Sequence, residues 1–83
     1  MKIKKYWIVI QTEQQGKYDA FIIPVTEIDN IATKLQAIRG IVSANIYNTQ
    51  KQACSVVMAW RDGFRASGIY MWDTMPDGTP APF

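Results

Sequence analysis

Residues 6–10 read Tyr-Trp-Ile-Val-Ile, apolar at every position. They sit inside a run, residues 3–12, that is rich in β-branched and aromatic residues and too short for a stable helix, which spells a strand. Side chains alternate along a strand, so Tyr6, Ile8 and Ile10 share one face and Trp7 and Val9 the other. A strand apolar on both sides belongs in the middle of a sheet with at least part of each face covered. The chain is 83 residues long, so one small domain with a modest core has to supply that cover. A two-domain enzyme with a deep interdomain cleft is excluded. Hydrophobic residues make up 48% of the chain, well above the content of a disordered segment, and a packed domain follows.

The elements around this strand can be read from turn and cap chemistry. Residues 13–17, Glu-Gln-Gln-Gly-Lys, supply a five-residue polar loop with Gly16 available for positive φ. A second strand over residues 18–25 follows as its hairpin partner. Pro24 lacks an amide hydrogen and places that strand at an edge. Thr26-Glu-Ile-Asp29 matches a helix start, and Ile28, Ile31, Ala32, Leu35 and Ile38 form one apolar stripe. A helix over residues 27–39 is expected, stopped by Gly40. A third strand covers residues 41–47, with Val42, Ala44 and Ile46 on one face.

Residues 48–67 fit two patterns. Thr49-x-x-Gln52 is a capping box, and Ala53, Val56, Val57, Trp60 and Phe64 fall on one helical face, with Gly68 as the stop. Alternatively Asp62-Gly63 is a hairpin turn, because Cys54, Val56, Met58 and Trp60 also alternate. The helix is the preferred reading, since its stripe runs through the proposed turn. A short strand over residues 69–72 closes the domain. Residues 1–72 therefore form a single α/β domain, and residues 73–83, with three prolines, form a C-terminal tail.

The expected fold is α+β: a two-layer sandwich in ββαβαβ order, with a mostly antiparallel four-stranded sheet and both helices on one face. The alternative is ββαββ with a hairpin at Asp62-Gly63. With the helices against Tyr6, Ile8 and Ile10, the opposite face would carry Trp7 and Val9 together with Tyr47, Tyr70 and Trp72. Monomers seldom expose a contiguous apolar patch of that kind, so a second subunit or the tail should cover it.

Composition removes several chemistries. The chain contains no histidine and one cysteine, Cys54. Ser-His-Asp and Cys-His nucleophilic sets are excluded, as is a Cys-x-x-Cys redox or zinc site. Among Ala53, Val56 and Val57, Cys54 reads as a small buried hydrophobe. The apolar run 6–10 is too short for a signal-peptide core of about 7–15 residues, and no segment approaches the roughly 20 apolar residues of a membrane span. A soluble, cytoplasmic protein is expected.

Glu27 and Asp29 read as helix-start carboxylates offsetting unpaired amides, not as an acid–base pair. Asp73 and Asp77-Gly78 lack the ligand spacing of a calcium loop, and Pro76-Asp77-Gly78 is a turn signature. Arg61 and Arg65 lie four apart and read as a solvated helix edge. No metal, no cofactor and no enzymatic activity are expected.

Lys4-Lys5-Tyr6-Trp7, the run Gly40-Ile-Val-Ser-Ala-Asn45, and Trp60, Phe64, Gly68 and Tyr70 give a layout similar to short uncharacterised bacterial proteins, some of the kind encoded on mobile elements. The resemblance spans most of residues 4–70 and has no catalytic signature. It implies a helix over residues 50–66 and no function.

Two functions are consistent with this pattern. The first is a small non-catalytic interaction or regulatory protein, a homodimer or the binder of another protein. It would associate through Trp7, Val9, Tyr47, Tyr70 and Trp72, since aromatic residues are enriched in protein interfaces. The second is single-stranded nucleic acid binding, with bases stacked on the same face and Lys2, Lys4, Lys5, Arg61 and Arg65 on the phosphates. The formal charge of +2 is unevenly spread: residues 66–83 carry two aspartates and no Lys or Arg, which leaves +4 on the rest. That is thin for a nucleic-acid footprint, and the interaction protein is the preferred reading.

Overall fold

A computed structural model describes residues 3–70. The order is β1 (Lys5–Gln14), β2 (Lys17–Thr26), α1 (Ile31–Gln36), β3 (Ile41–Tyr47) and α2 (Gln50–Ala66). The fold is α+β, and the sheet order β2-β1-β3 puts the two-sided apolar strand at the centre, antiparallel to both neighbours.

The requirement set by residues 6–10 is met by one helix on each face. Ile8, Ile10, Phe21 and Val25 form one core, against which Tyr6, Ile23, Ile31, Leu35, Ile38 and Ile41 pack. Val9, Ala20 and Ile22 form the other with Ala53 and Val57 of α2, flanked by Trp7, Tyr47, Cys54, Val56, Trp60 and Phe64. The expectation of both helices on one face is therefore corrected. Ile8 and Ile10 on one face and Val9 on the other are all buried, and a second layer on only one side would leave half of that apolar strand in water.

The four-stranded sheet and the ββαβαβ order are not observed among the described residues, where the sheet has three strands. Among the described residues beyond α2 there is a single parallel bridge, Tyr70 to Tyr18, on the outer edge of β2. The Tyr18 amide there donates to the Ile69 carbonyl at 2.6 Å. The tail, residues 73–83, lies outside the described residues, as do residues 71–72 of the expected closing strand.

Local chemistry explains where the boundaries fall. The hairpin is tighter than expected: Gln14 pairs with Lys17, and a two-residue turn at Gln15 (φ 53°) and Gly16 (φ 79°) replaces the five-residue loop. Positive φ at both central residues matches the twist of the flanking strands. The Glu13 carboxylate secures the turn by accepting from the Gly16 amide at 2.8 Å.

The first helix starts later than the sequence pattern indicated. Asp29 Oδ2 accepts from the Thr26 amide at 2.7 Å and lies 3.2 Å from its hydroxyl, closing a turn instead of a first helical turn. Asn30 is the actual cap, accepting from the Thr33 amide at 3.2 Å. Ile28, expected on the apolar stripe, is consequently exposed.

Gly40 follows α1 with φ 74°, and its carbonyl accepts from the Glu13 amide at 2.8 Å. A Cβ at this position would collide with the Glu13 carbonyl oxygen. The glycine thus permits both the left-handed turn and the close approach that starts β3.

Residues 50–66 are helical, so the Asp62-Gly63 hairpin is not formed. Thr49 Oγ1 accepts from the Gln52 amide at 3.2 Å. The C-terminal end is closed by Gly68 to Arg65 and Ile69 to Phe64 backbone bonds with Gly68 at φ 72°, a complete Schellman stop. No described helix is long and apolar enough to cross a membrane.

Candidate functional site

Two features stand out from the packed framework: a buried ion pair on β2 and an uncharged open edge on β3. The first begins with Asp19, a carboxylate within an otherwise apolar stretch of β2, only 1% exposed. Opposite it, Arg61 lies one turn after Val57 on the inward face of α2 and is 4% exposed. Arg61 Nη2 is 3.4 Å from Asp19 Oδ1, and Arg61 Nε donates to the Ala20 carbonyl at 2.7 Å. The Ala20 amide donates to Asp19 Oδ1 at 2.8 Å. The Tyr70 ring closes this cluster, with the guanidinium carbons of Arg61 and Arg65 at 5.5 and 5.0 Å from its centroid. Both are within cation–π range.

A buried charge pair with these hydrogen bonds fixes how α2 sits on β2. It also positions Tyr70 at the β2 edge. Chemically it is a clamp: the guanidinium cannot release a proton, and its Nε donor is already committed to the Ala20 carbonyl.

The second feature is β3. Its seven residues, Ile-Val-Ser-Ala-Asn-Ile-Tyr, carry no charge and no proline. One side of the strand pairs with β1, and among the described residues no strand pairs with its other side. Pairing with Ile10 and Ile8 puts Ala44 and Ile46 on the α1 side of the sheet. Val42 is the extra residue of a bulge opposite Gln11 and Thr12. Val42 and Ile46 are 56% and 57% exposed. Edge strands are normally protected by charges, prolines or a covering element. Among the described residues only the bulge at one end serves that purpose. Ser43 Oγ lies 3.2 Å from Gln11 Oε1, which ties the strand inward on the opposite face.

The expected site residues are separated by this arrangement. Trp7 and Tyr47 are cross-strand partners, half-buried against α2, and Val9 beside them is fully buried. Tyr70 lies at the outer edge of β2, and Trp72 is outside the described residues. Those four described side chains therefore do not form one open patch, because α2 occupies the face on which the sequence pattern placed them.

The candidate basic contacts divide as well. Lys4 and Lys5 are exposed at the start of β1, with the Lys5 ammonium 6.0 Å from the Trp7 ring centre; Lys2 is outside the described residues. Arg61 is buried, which corrects its reading as part of a solvated edge. Arg65 is exposed and donates to Asp62 Oδ1 at 3.1 Å. Lys5 pairs with Thr26 at one end of β2, whereas Arg61 binds Ala20 near the other. Six residues of strand separate them, roughly 20 Å at the usual rise. One continuous groove does not join the two sets.

Asp19 escaped the sequence reading, although a lone carboxylate flanked by Ala20, Phe21 and Ile22 was a visible signal. So was Arg61, spaced four from Val57 and eight from Ala53. The signal for the β3 edge was the absence of charge over residues 41–47. Among the described residues no group of three or more His, Cys, Asp or Glu could hold a metal ion. Compared with protein-family models, curated proteins and solved structures, the chain shows no match.

Proposed function

We propose that the chain is a small non-catalytic interaction protein that binds an extended protein segment along the open edge of β3. The observation that carries this reading is an uncharged, proline-free edge strand with Val42 and Ile46 more than half exposed. Strand addition uses the unpaired backbone groups of such an edge for affinity and the alternating side chains for specificity. Ile31 and Leu35 of α1, with Ile38 just beyond it, cover the neighbouring β1–β2 part of this face. The aromatic face around Trp7 is not the contact surface in this reading, since α2 already packs on it.

Binding of single-stranded nucleic acid is less well supported. Arg61 is buried against Asp19, and Trp7 and Tyr47 lie against α2 and are not displayed for stacking.

A displayed library of random peptides selected on the full chain tests the reading. Recovered peptides should be rich in β-branched residues and should lose binding to Val42→Lys/Ile46→Lys, a variant altered only at exposed positions. Peptides that bind the variant equally well would place the contact surface elsewhere. Retention of single-stranded DNA that weakens from about 50 to 200 mM salt would instead indicate phosphate contacts.

A further inference from the structure

The side-chain pattern of β3 is symmetric about its middle residue. From Ala44 outward it reads Ser43 and Asn45, then Val42 and Ile46: polar, then apolar, in both directions. We infer that the segment bound at the β3 edge is β3 of a second copy of this chain, antiparallel to the first, with the two-fold axis at Ala44. This rests on the reading of the edge as an interaction surface and names its occupant.

A two-fold contact places the same patch on both subunits, so the patch has to complement itself. Antiparallel pairing about Ala44 meets that condition over residues 42–46; the bulge turns Ile41 to the face opposite Tyr47, so the matched stretch ends there. Val42 faces Ile46 of the partner subunit, a β-branched pair of the kind that stabilises sheets. Ser43 faces Asn45 of the partner subunit, and both side chains can donate and accept hydrogen bonds. Ala44 faces its own copy, where the small side chain allows close approach.

Because the strand carries no charge, the two-fold axis brings no like charges together. A lysine at the central position would stand directly opposite its own copy. The direction also suits the sheet: β3 is antiparallel to β1, so the joined sheet stays antiparallel throughout, in the order β2-β1-β3-β3-β1-β2. Six strands is an ordinary sheet size. The bulge at Val42 lies near the end of the pairing and leaves residues 43–47 in regular register with β1. Tyr70, the last described residue, stands on the opposite edge of the sheet and does not compete for β3.

Sedimentation equilibrium on the full chain and two double variants tests the inference, with circular dichroism as the folding control. Val42→Lys/Ile46→Lys puts lysine against lysine in both pairs, whereas Val42→Lys/Ile46→Glu puts lysine against glutamate in both. The unsubstituted chain should be dimeric and the Lys/Lys variant monomeric. The Lys/Glu variant should dimerise at least tenfold more tightly than the Lys/Lys variant, by a margin that shrinks as salt rises. A Lys/Glu variant as dissociated as Lys/Lys would overturn the Ala44 register while leaving β3 as the binding edge. A monomeric unsubstituted chain would overturn the second copy as occupant, in favour of residues 71–83 or another protein's strand, and the peptide selection then decides the edge itself. A Lys/Lys variant as dimeric as the unsubstituted chain would overturn both.

Discussion

Arg61 is the residue on which α2 and β2 depend most specifically. Removing one member of a buried ion pair strands the other, at a cost of about 3–5 kcal/mol. Arg61→Met should therefore lower stability in urea by about that amount, because Asp19 stays buried without its guanidinium. Asp19→Leu/Arg61→Met should recover much of the loss, since an apolar pair of similar volume needs no counter-charge. Recovery should be incomplete. The Ala20 carbonyl loses its 2.7 Å donor in both variants, and a buried acceptor left unpaired costs about 1–3 kcal/mol. Equal losses in the single and double variants would mean that packing, not charge, dominates at this position.

Two glycines give a second contrast at the same scale. Gly63 lies inside α2 with open space where a Cβ would stand, so Gly63→Ala should raise stability by up to about 1 kcal/mol. Gly40 has positive φ and meets the Glu13 backbone. Gly40→Ala should cost about 1–3 kcal/mol from the backbone conformation alone, and more from the collision. Opposite shifts of the urea midpoint are the expected result.

At the scale of elements, α1 has only six residues and is entered through a turn closed by Asp29. Asp29 is the key group there. Its carboxyl lies below the ordinary value of 3.8, mainly through the hydrogen bond from the Thr26 amide, with the Lys34 ammonium adding to the effect and partial burial opposing it. A carboxyl whose pKa is lower in the folded state stabilises the fold at pH above its unfolded value. That contribution is lost as pH falls through the folded pKa. Stability at pH 2 relative to pH 6 should therefore fall less in Asp29→Asn than in the unsubstituted chain, and an unchanged pH dependence would contradict this role.

The same turn shows what was and was not legible beforehand. Thr26 and Asp29 were recognisable as partners, but their bond can close either a helix start or a free-standing turn. Asn30, one residue later, made the choice by supplying a better-placed cap. The central position of β1, its antiparallel neighbours and the span of α2 were all readable from period and caps. The distribution of helices over the two faces was not, although the apolar pattern at both Ile8 and Val9 already required two covers. Periodicity shows that a face is buried and is silent on which element buries it. The Asp19–Arg61 clamp was obscured for a related reason. Charged residues are buried only when paired, and a pair 42 positions apart has no local signature.

On the scale of the whole molecule, sheet extension through β3 has a thermodynamic consequence that separates it from folding of a single chain. Association that favours the folded state over the unfolded one adds to stability by mass action, so the midpoint of thermal unfolding depends on protein concentration. In a monomer the midpoint is independent of concentration. For the paired sheet, Tm should rise across a hundredfold increase in protein concentration, and the rise should vanish in Val42→Lys/Ile46→Lys. At the lowest concentrations the two proteins should unfold at nearly the same temperature, because both substitutions lie at exposed positions and surface changes of this kind are usually within about 0.5 kcal/mol. The clamp at Asp19 and Arg61 gives the internal control. It sits on the β2 side of the sheet, away from β3, so Asp19→Leu/Arg61→Met should shift Tm by a similar amount at every concentration and keep the slope. A clamp variant that loses the concentration dependence would mean that the β3 edge depends on how α2 is seated, and the two features would then form one coupled unit.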